Sequence, residues 1–149
     1  MRKNSRGFSL IELLIVVAII LIIAAIAIPN LLRSRIAANQ ASAVGSLRTI
    51  NTAEITYAST YNNGYSPTLV SLGPGANPPT AAAAGLIDSV LAGATKSGYG
   101  FVYAATAPTA PSTRIDRYTL NANPTTAGTT GSNYYFTDES GVIRQNSTT

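Results

Sequence analysis

The chain has no cysteine, no histidine and no tryptophan, and a single methionine. Without cysteine there is no disulfide to staple a fold and no thiolate to act as nucleophile or soft metal ligand. Without histidine the commonest general base is missing, and the two absences together remove the usual zinc ligand sets. Charge is scarce as well. Charged residues make up 11% of the 149, where about a quarter is usual, so polar surface must come mostly from Ser, Thr, Asn and Gln. Copies of such a chain can pack closely with little repulsion. The net charge of +4 is modest, and three of the ten cations (Arg2, Lys3 and Arg6) stand within the first six residues.

What the sequence does have is one long apolar run. Residues 8–28 carry a single charge, Glu12, and end at Pro29. As a helix rising about 1.5 Å per residue, the run measures about 31 Å, the thickness of a bilayer's hydrocarbon layer. The basic residues ahead of it predict an N-terminus on the cytoplasmic side, weakened only slightly by Arg33 and Arg35 beyond it. Ala25-Ile26-Ala27 would suit a secretory signal cleaved after its core, which keeps a secreted product open as an alternative. The apolar core is long for such a signal and carries an acid, and the better small-residue cleavage point, Gly7, lies ahead of it. Cleavage after Gly7 would keep the whole apolar segment and create a new amine on Phe8.

The string GFSLIELLIVVAIILIIAAIAIPN is similar to the leader junction and N-terminal helix of type IV pilins and type II secretion pseudopilins, with Gly7, Phe8, Glu12 and Pro29 all at the family spacing. The resemblance is strong over about residues 1–61 and extends to the rest only in general layout. It implies a prepilin whose leader, residues 1–7, is removed by a dedicated inner-membrane peptidase after Gly7, with N-methylation of Phe8. It further implies a pilin fold, an assembly platform as partner and a homo-oligomeric helical filament. The cysteine pair that many pilins carry near the C-terminus is absent here.

Glu12 is the informative residue. Ionised side chains at the centre of a lone membrane helix cost roughly 2.5–3.5 kcal/mol or more, so an acid here asks for a partner. An amine on Phe8 would stand four positions before Glu12, within reach of the carboxylate of a neighbouring staggered helix. Opposite charges about 4 Å apart attract by roughly 4 kcal/mol at an effective dielectric of about 20, which would offset desolvation and set the assembly register. The competing local reading is a capping box: Ser9-Leu10-Ile11-Glu12 fits S/T-x-x-E, in which both side chains bond free amides at a helix start. The two roles can alternate between free subunit and filament.

Pro29 removes the amide that would bond the Ala25 carbonyl, so the spacing predicts a weakened, bent turn in a helix that continues to Tyr61. Uninterrupted, that helix would be near 80 Å long. Past Pro29, Ile36, Ala43, Leu47, Ile50, Tyr57 and Tyr61 recur at helical spacing, with Asn39, Ser46, Thr49 and Thr60 turned away. Asn62-Asn63-Gly64 is a stop signal.

The remaining residues, 62–149, change to Gly, Pro, Ser, Thr and Asn and suffice for one small globular head. A loop is expected through residues 73–79 and a short helix over 80–91, with Leu86, Ile87, Val90 and Leu91 inward and Gly93 at its end. Four strands are expected, at 99–105, 117–122, 133–137 and 142–145, the last two joined by the turn Asp138-Glu139-Ser140-Gly141. Their inner face, with Phe101, Tyr103, Tyr118, Leu120, Tyr135 and Ile143, would cover the helix stripe. The fold class is thus α+β: a long N-terminal helix, membrane-spanning in its first half and amphipathic in its second, on a small antiparallel sheet.

Chemistry is sparse. Asp138 and Glu139 read as a solvated turn rather than a catalytic pair. A calcium site from Asp88, Asp116, Asp138 or Glu139 has no supporting spacing, and no metal or other cofactor is expected. Gly98-Tyr99-Gly100 lacks the third glycine of a dinucleotide fingerprint. Lys96, Arg114, Arg117 and Arg144 beside Tyr99, Tyr118 and Tyr134 match no nucleic-acid motif, so no specific nucleic acid is expected. Tyr57 and Tyr61 read as packing, and Asn146-Ser147-Thr148 is a glycosylation sequon.

The expectation is therefore a non-enzymatic structural subunit of a type IV pilus, held in the bacterial inner membrane as a prepilin and then displayed in an extracellular or periplasmic filament. Residues 8–28 form its transmembrane and assembly segment, and 29–61 form the amphipathic helix entering the head. Adhesion and twitching motility are functions the resemblance associates with such filaments. The alternatives are a pseudopilin of type II secretion, a minor pilin, or a membrane-anchored or secreted binding module.

Overall fold

The computed structural model describes residues 8–75, 77–106 and 111–146, and the leader with Gly7 lies outside them. Helix α1 spans Leu10–Tyr61, and the helical assignment is unbroken through Pro29. Two compact units divide the chain, one up to Arg35 and one from Ile36 onward. In the first unit nearly every side chain from Phe8 to Arg35 is exposed.

The second unit is the head. It holds α1 from Ile36, a 3-10 turn at Leu69–Leu72, the one-turn helix α2 at Ser89–Ala92, and strands β1 Thr95–Lys96, β2 Tyr99–Ala105, β3 Tyr118–Pro124, β4 Tyr134–Asp138 and β5 Arg144–Asn146. The strands form one sheet in the order β1-β2-β3-β4-β5, with every neighbour antiparallel. Alternation decides what is inside. Tyr118, Leu120 and Ala122 of β3 and Tyr135 of β4 are buried with Phe101 and Tyr99 of β2, and Tyr103 and Ile143 pack at the margin. Across from them lie Ala43, Leu47, Ile50, Ala53 and Tyr57 of α1. The expected helix stripe and sheet face therefore meet in one core.

Polar side chains fix helix to sheet at specific heights. The Asn51 amide donates to Thr137 Oγ1 at 3.0 Å, and its carbonyl oxygen accepts from the Tyr118 hydroxyl at 3.0 Å. Nearer the start of the head, Asn39 donates to the Thr130 carbonyl at 2.9 Å and Gln40 to Ser132 Oγ at 3.0 Å. At the helix end, Asn62 takes φ +51° and Gly64 φ +78°, so the chain turns where the sequence predicts. A Cβ on Gly64 would overlap the Ile115 carbonyl oxygen, which accepts the Tyr65 amide at 2.8 Å. Only glycine fits that crossing.

Several expectations need correction. The helix over 80–91 shrinks to Ser89–Ala92, because the amides of Ala84, Gly85, Leu86 and Ile87 bond carbonyls of Ser71, Gly73 and Leu72 instead of their own turn. Gly85 sits at φ +66°, outside any helix. Asp88 caps the remnant, accepting from the Leu91 amide, while Val90 faces outward. Ser46, expected on the outer side of α1, is buried. β2 stands at its expected bounds, β3, β4 and β5 start and end one or two residues away from theirs, and β1 and the 3-10 turn have no counterpart among the expected elements. The Asp138–Gly141 turn joins β4 to β5 as expected, with the Gly141 amide bonded to the Asp138 carbonyl at 2.9 Å.

Candidate functional site

The N-terminal segment is the most unusual surface of the molecule. From Phe8 (78% exposed) through Leu10 (80%) to Leu32 (51%), large apolar side chains point outward all round the helix. A soluble monomer rarely shows more than a few hundred Å² of contiguous apolar surface, so this stretch needs lipid or other protein around it. Among the described residues α1 is the one helix long and apolar enough to cross a membrane. Within its apolar part Glu12 is the single acid.

The local geometry at Glu12 is half of a capping box. The Ser9 amide donates to Glu12 Oε2 at 2.9 Å, and the Leu13 amide reaches the Ser9 carbonyl at 3.3 Å. The carboxylate thereby satisfies one of the free donors at the helix start. No cation of the described residues stands within ion-pair distance of it. Phe8, the residue expected to carry the new amine, is exposed just before the helix. Pro29 lies inside α1 with Ser34 Oγ donating to the Asn30 carbonyl at 3.0 Å one turn on.

The other sequence candidates have structural duties. Asp88 caps α2 and pairs with Lys96 at 3.1 Å, Asp116 pairs with Arg114 at 2.7 Å, and Asp138 pairs with Arg144 at 2.9 Å. Glu139 stands 3.8 Å from Arg117. Among the described residues no group of three metal-binding side chains converges, so the four acids do not form one site. Each cation considered for nucleic acid has a carboxylate neighbour. Tyr57 and Tyr61 pack with ring centroids 4.8 Å apart, and the Tyr57 hydroxyl donates to the Ala81 carbonyl at 2.8 Å. Of the sequon, Asn146 ends β5, while Ser147 and Thr148 lie outside the described residues.

One titratable group escaped the sequence reading. Glu54 is fully buried, its Oε2 accepting from the Ser66 amide at 2.8 Å and its Oε1 standing 2.6 Å from Ser66 Oγ. Burial raises its pKa, and the Ser66 and Tyr103 hydrogen bonds pull the other way. Tyr103 and Tyr118 nearby are also raised, first by burial and then by the Glu54 charge. The only sequence hint is position: Glu54 follows Leu47 and Ile50 at helical spacing, on the buried face.

Comparison with known proteins bears on the N-terminal part. Residues 2–28 match the family model described as the prokaryotic N-terminal methylation motif. The type IV wide pilus major component PilA4 of Thermus thermophilus is 65% identical over 37 residues, covering 25% of this chain and 28% of that protein. The type IV major pilin protein PilA of Myxococcus xanthus is 49% identical over 56 residues, covering 38% of this chain and 26% of that protein. The chain thus spans about a quarter of the length of these curated relatives. No solved structure matches it significantly. The methylation motif over residues 2–28 and the two pilin relatives make the chain similar to type IV pilins over part of its length, and its helix-on-sheet head is a pilin-like α+β arrangement.

Proposed function

We propose that this chain is a structural, non-catalytic subunit of a type IV pilus filament. It is made as an inner-membrane prepilin, cleaved after Gly7 by a prepilin peptidase, N-methylated on Phe8 and assembled through its N-terminal helix. Residues 1–7 are then the leader, 8–28 the membrane and assembly segment, 29–61 the amphipathic helix and 62–149 the head, with Pro29 as the point of weakness in α1. The observation that carries this reading is the apolar, outward-facing segment with Glu12 as its one acid, bonded among the described residues to the Ser9 amide of its own helix start.

The energetics favour assembly through that acid. A helix moving from lipid to a filament core gains little hydrophobic free energy, because the tails are as apolar as leucine. Helix packing and neutralisation of Glu12 by the Phe8 amine of a neighbouring subunit are what remain, with an assembly motor supplying work. Both relatives are named as major components, which favours a major subunit over a minor pilin or a secretion pseudopilin.

Mass spectrometry of filaments sheared from cells tests processing and role together. The expected result is this chain as the dominant species, starting at methylated Phe8. A start at residue 28 would mean a secreted soluble protein, and trace stoichiometry would mean a minor subunit. Glu12→Gln and Glu12→Ala test register. Glutamine keeps an oxygen for the Ser9 amide and loses the charge, so both variants should insert and be processed yet fail to assemble. Normal filament yield from Glu12→Gln would reduce Glu12 to a helix cap.

A further inference from the structure

The outer face of the sheet, away from α1, has a composition that strand propensity does not explain. Asparagine is depleted in strands, yet β3, paired on both sides, turns Asn121 and Asn123 outward on alternate positions. Neither side-chain amide is hydrogen-bonded to another described residue. Beside them β4 presents Tyr134 and Phe136, both half-buried, and the register places Asn121 against Phe136 and Phe136 against Arg144. Asn121, Asn123, Tyr134, Phe136, Arg144 and Asn146 help to line a cavity of about 460 Å³. That volume lies within the range of pockets that hold small organic ligands.

The chemistry of the cavity selects among ligands. Arg144 sits 5.8 Å from the centre of the Phe136 ring, and its Nη1 is held 2.9 Å from Asp138 Oδ2. Its charge is therefore compensated, and an anion would have to compete with that carboxylate. The other cations of the strands and loops, Lys96, Arg114 and Arg117, also have acidic neighbours, so phosphate contacts would have to break ion pairs to form. What is left is neutral. Each asparagine amide offers two donors and an acceptor, the pattern that a hydroxyl group can meet in either direction. The negative π-face of Tyr134 suits the weakly positive C–H groups on one side of a pyranose ring. Gly100, next to Asn123 in the ladder, leaves open floor: a Cβ there would meet nothing closer than the Asn123 carbonyl oxygen at 4.0 Å.

We propose that this outer face is a binding site for an uncharged saccharide, with Tyr134 as the stacking platform and Asn121 and Asn123 as the hydroxyl readers. It does not depend on the filament reading. In a filament the same site would recur along the polymer, so weak single-site affinity would become useful through multivalency.

Full-length protein in a phosphocholine detergent, which carries no sugar, can be titrated with cellobiose, maltose and N,N′-diacetylchitobiose by calorimetry and saturation-transfer NMR. At least one disaccharide should bind with millimolar Kd, and its ring protons should receive saturation. Tyr134→Ala, Asn121→Ala and Asn123→Ala should each weaken that binding by about tenfold or more, which is about 1.4 kcal/mol. Tyr134→Phe and the distant Val70→Ala should retain it. Near-UV circular dichroism checks that the head stays folded; if Tyr134→Ala loses that signal, the two asparagine variants decide. Absence of binding by all three disaccharides, or binding indifferent to Asn121→Ala and Asn123→Ala, overturns the proposal. So does tighter binding of a ten-residue thymidine oligonucleotide that Asn121→Ala abolishes, or loss of filaments in these variants without any sugar binding, which would make the face a contact between copies.

Discussion

Replacing Glu54 tests how the head handles its one fully buried acid. In the folded chain Glu54 Oε2 takes the Ser66 amide, and Oε1 pairs with Ser66 Oγ, which also reaches the Thr68 carbonyl at 3.1 Å. Ser66 thus supplies the carboxyl with two donors, its backbone amide to Oε2 and its hydroxyl to Oε1. Glutamine keeps an oxygen for the Ser66 amide, and its nitrogen donates to Ser66 Oγ in a reversed bond that leaves the hydroxyl proton for the Thr68 carbonyl. Alanine leaves the buried Ser66 amide without its acceptor, at a cost of about 1–3 kcal/mol, while Ser66 Oγ keeps Thr68 and adds less. Glu54→Ala should therefore destabilise the head by about 2–4 kcal/mol in total, lowering its Tm by roughly 8–16 °C at about 4 °C per kcal/mol for a unit of this size.

The pH dependence separates the two variants further. Burial raises the folded-state pKa of Glu54 above its ordinary value of 4.5. The folded chain then holds this proton more tightly than the unfolded chain. Its contribution to stability is full below the unfolded value and is lost as pH rises through the folded value. Asp88 and Asp138 shift the opposite way, chiefly through hydrogen bonds from Leu91 and Ser140, and act below the ordinary carboxylate range. Wild-type stability should thus decline from about pH 5 toward alkaline pH, and Glu54→Gln should remove that slope. All eight tyrosines lie at or after residue 57, so near-UV circular dichroism of full-length protein in micelles reports melting of the head alone. Melts at several pH values that show Glu54→Gln as unstable as Glu54→Ala, or with the wild-type slope, would refute this reasoning.

Other positions in the head give sharper local tests. Tyr118→Phe removes the buried hydroxyl bond to Asn51 Oδ1 and should cost about 1–2 kcal/mol by the same melts. Leu120, fully buried in β3, should cost about 2–5 kcal/mol as alanine, with the denaturant midpoint shifting and the slope unchanged. Gly64→Ala combines a left-handed backbone angle with a clash against the Ile115 carbonyl, so hydrogen exchange should show early opening at the Tyr65 amide.

How legible each element is from the sequence follows the range of the forces that make it. The apolar segment, the stop at Asn62 and Gly64 and the Asp138–Gly141 turn depend on neighbours in sequence, and all three stand where the residues place them. Ala81–Ala84 looks helical by composition, but the carbonyls of Ser71, Leu72 and Gly73 claim the amides that a helix would need. Strand ends slip for a related reason: Pro124 looks like a terminator, yet it closes β3 at an end where its missing amide costs nothing in the ladder. Glu54 and Ser46 look like surface residues by type, and their partners or cover come from distant segments. The outer asparagines of β3 were readable in principle, as polar residues of poor strand propensity recurring at a period of two.

The chain treats its two helix acids in apolar surroundings in opposite ways, and the difference separates structure from candidate function. Glu54 is met from within: Ser66, twelve positions on, supplies two contacts, and Tyr103 closes over the same serine by donating to its carbonyl at 2.8 Å. That acid is provided for in a single copy, and burial is its resting condition. Among the described residues Glu12 is met by the Ser9 amide three positions back, a bond that any helix start can replace with water. It is exposed on a segment whose apolar surface calls for cover. Covering it with lipid or with a neighbouring helix takes an exposed carboxylate away from solvent, and the cap alone cannot compensate for that. A partner charge is then required only when the segment is covered, which is the condition that makes Glu12 a register mark between copies and Glu54 a fixture within one.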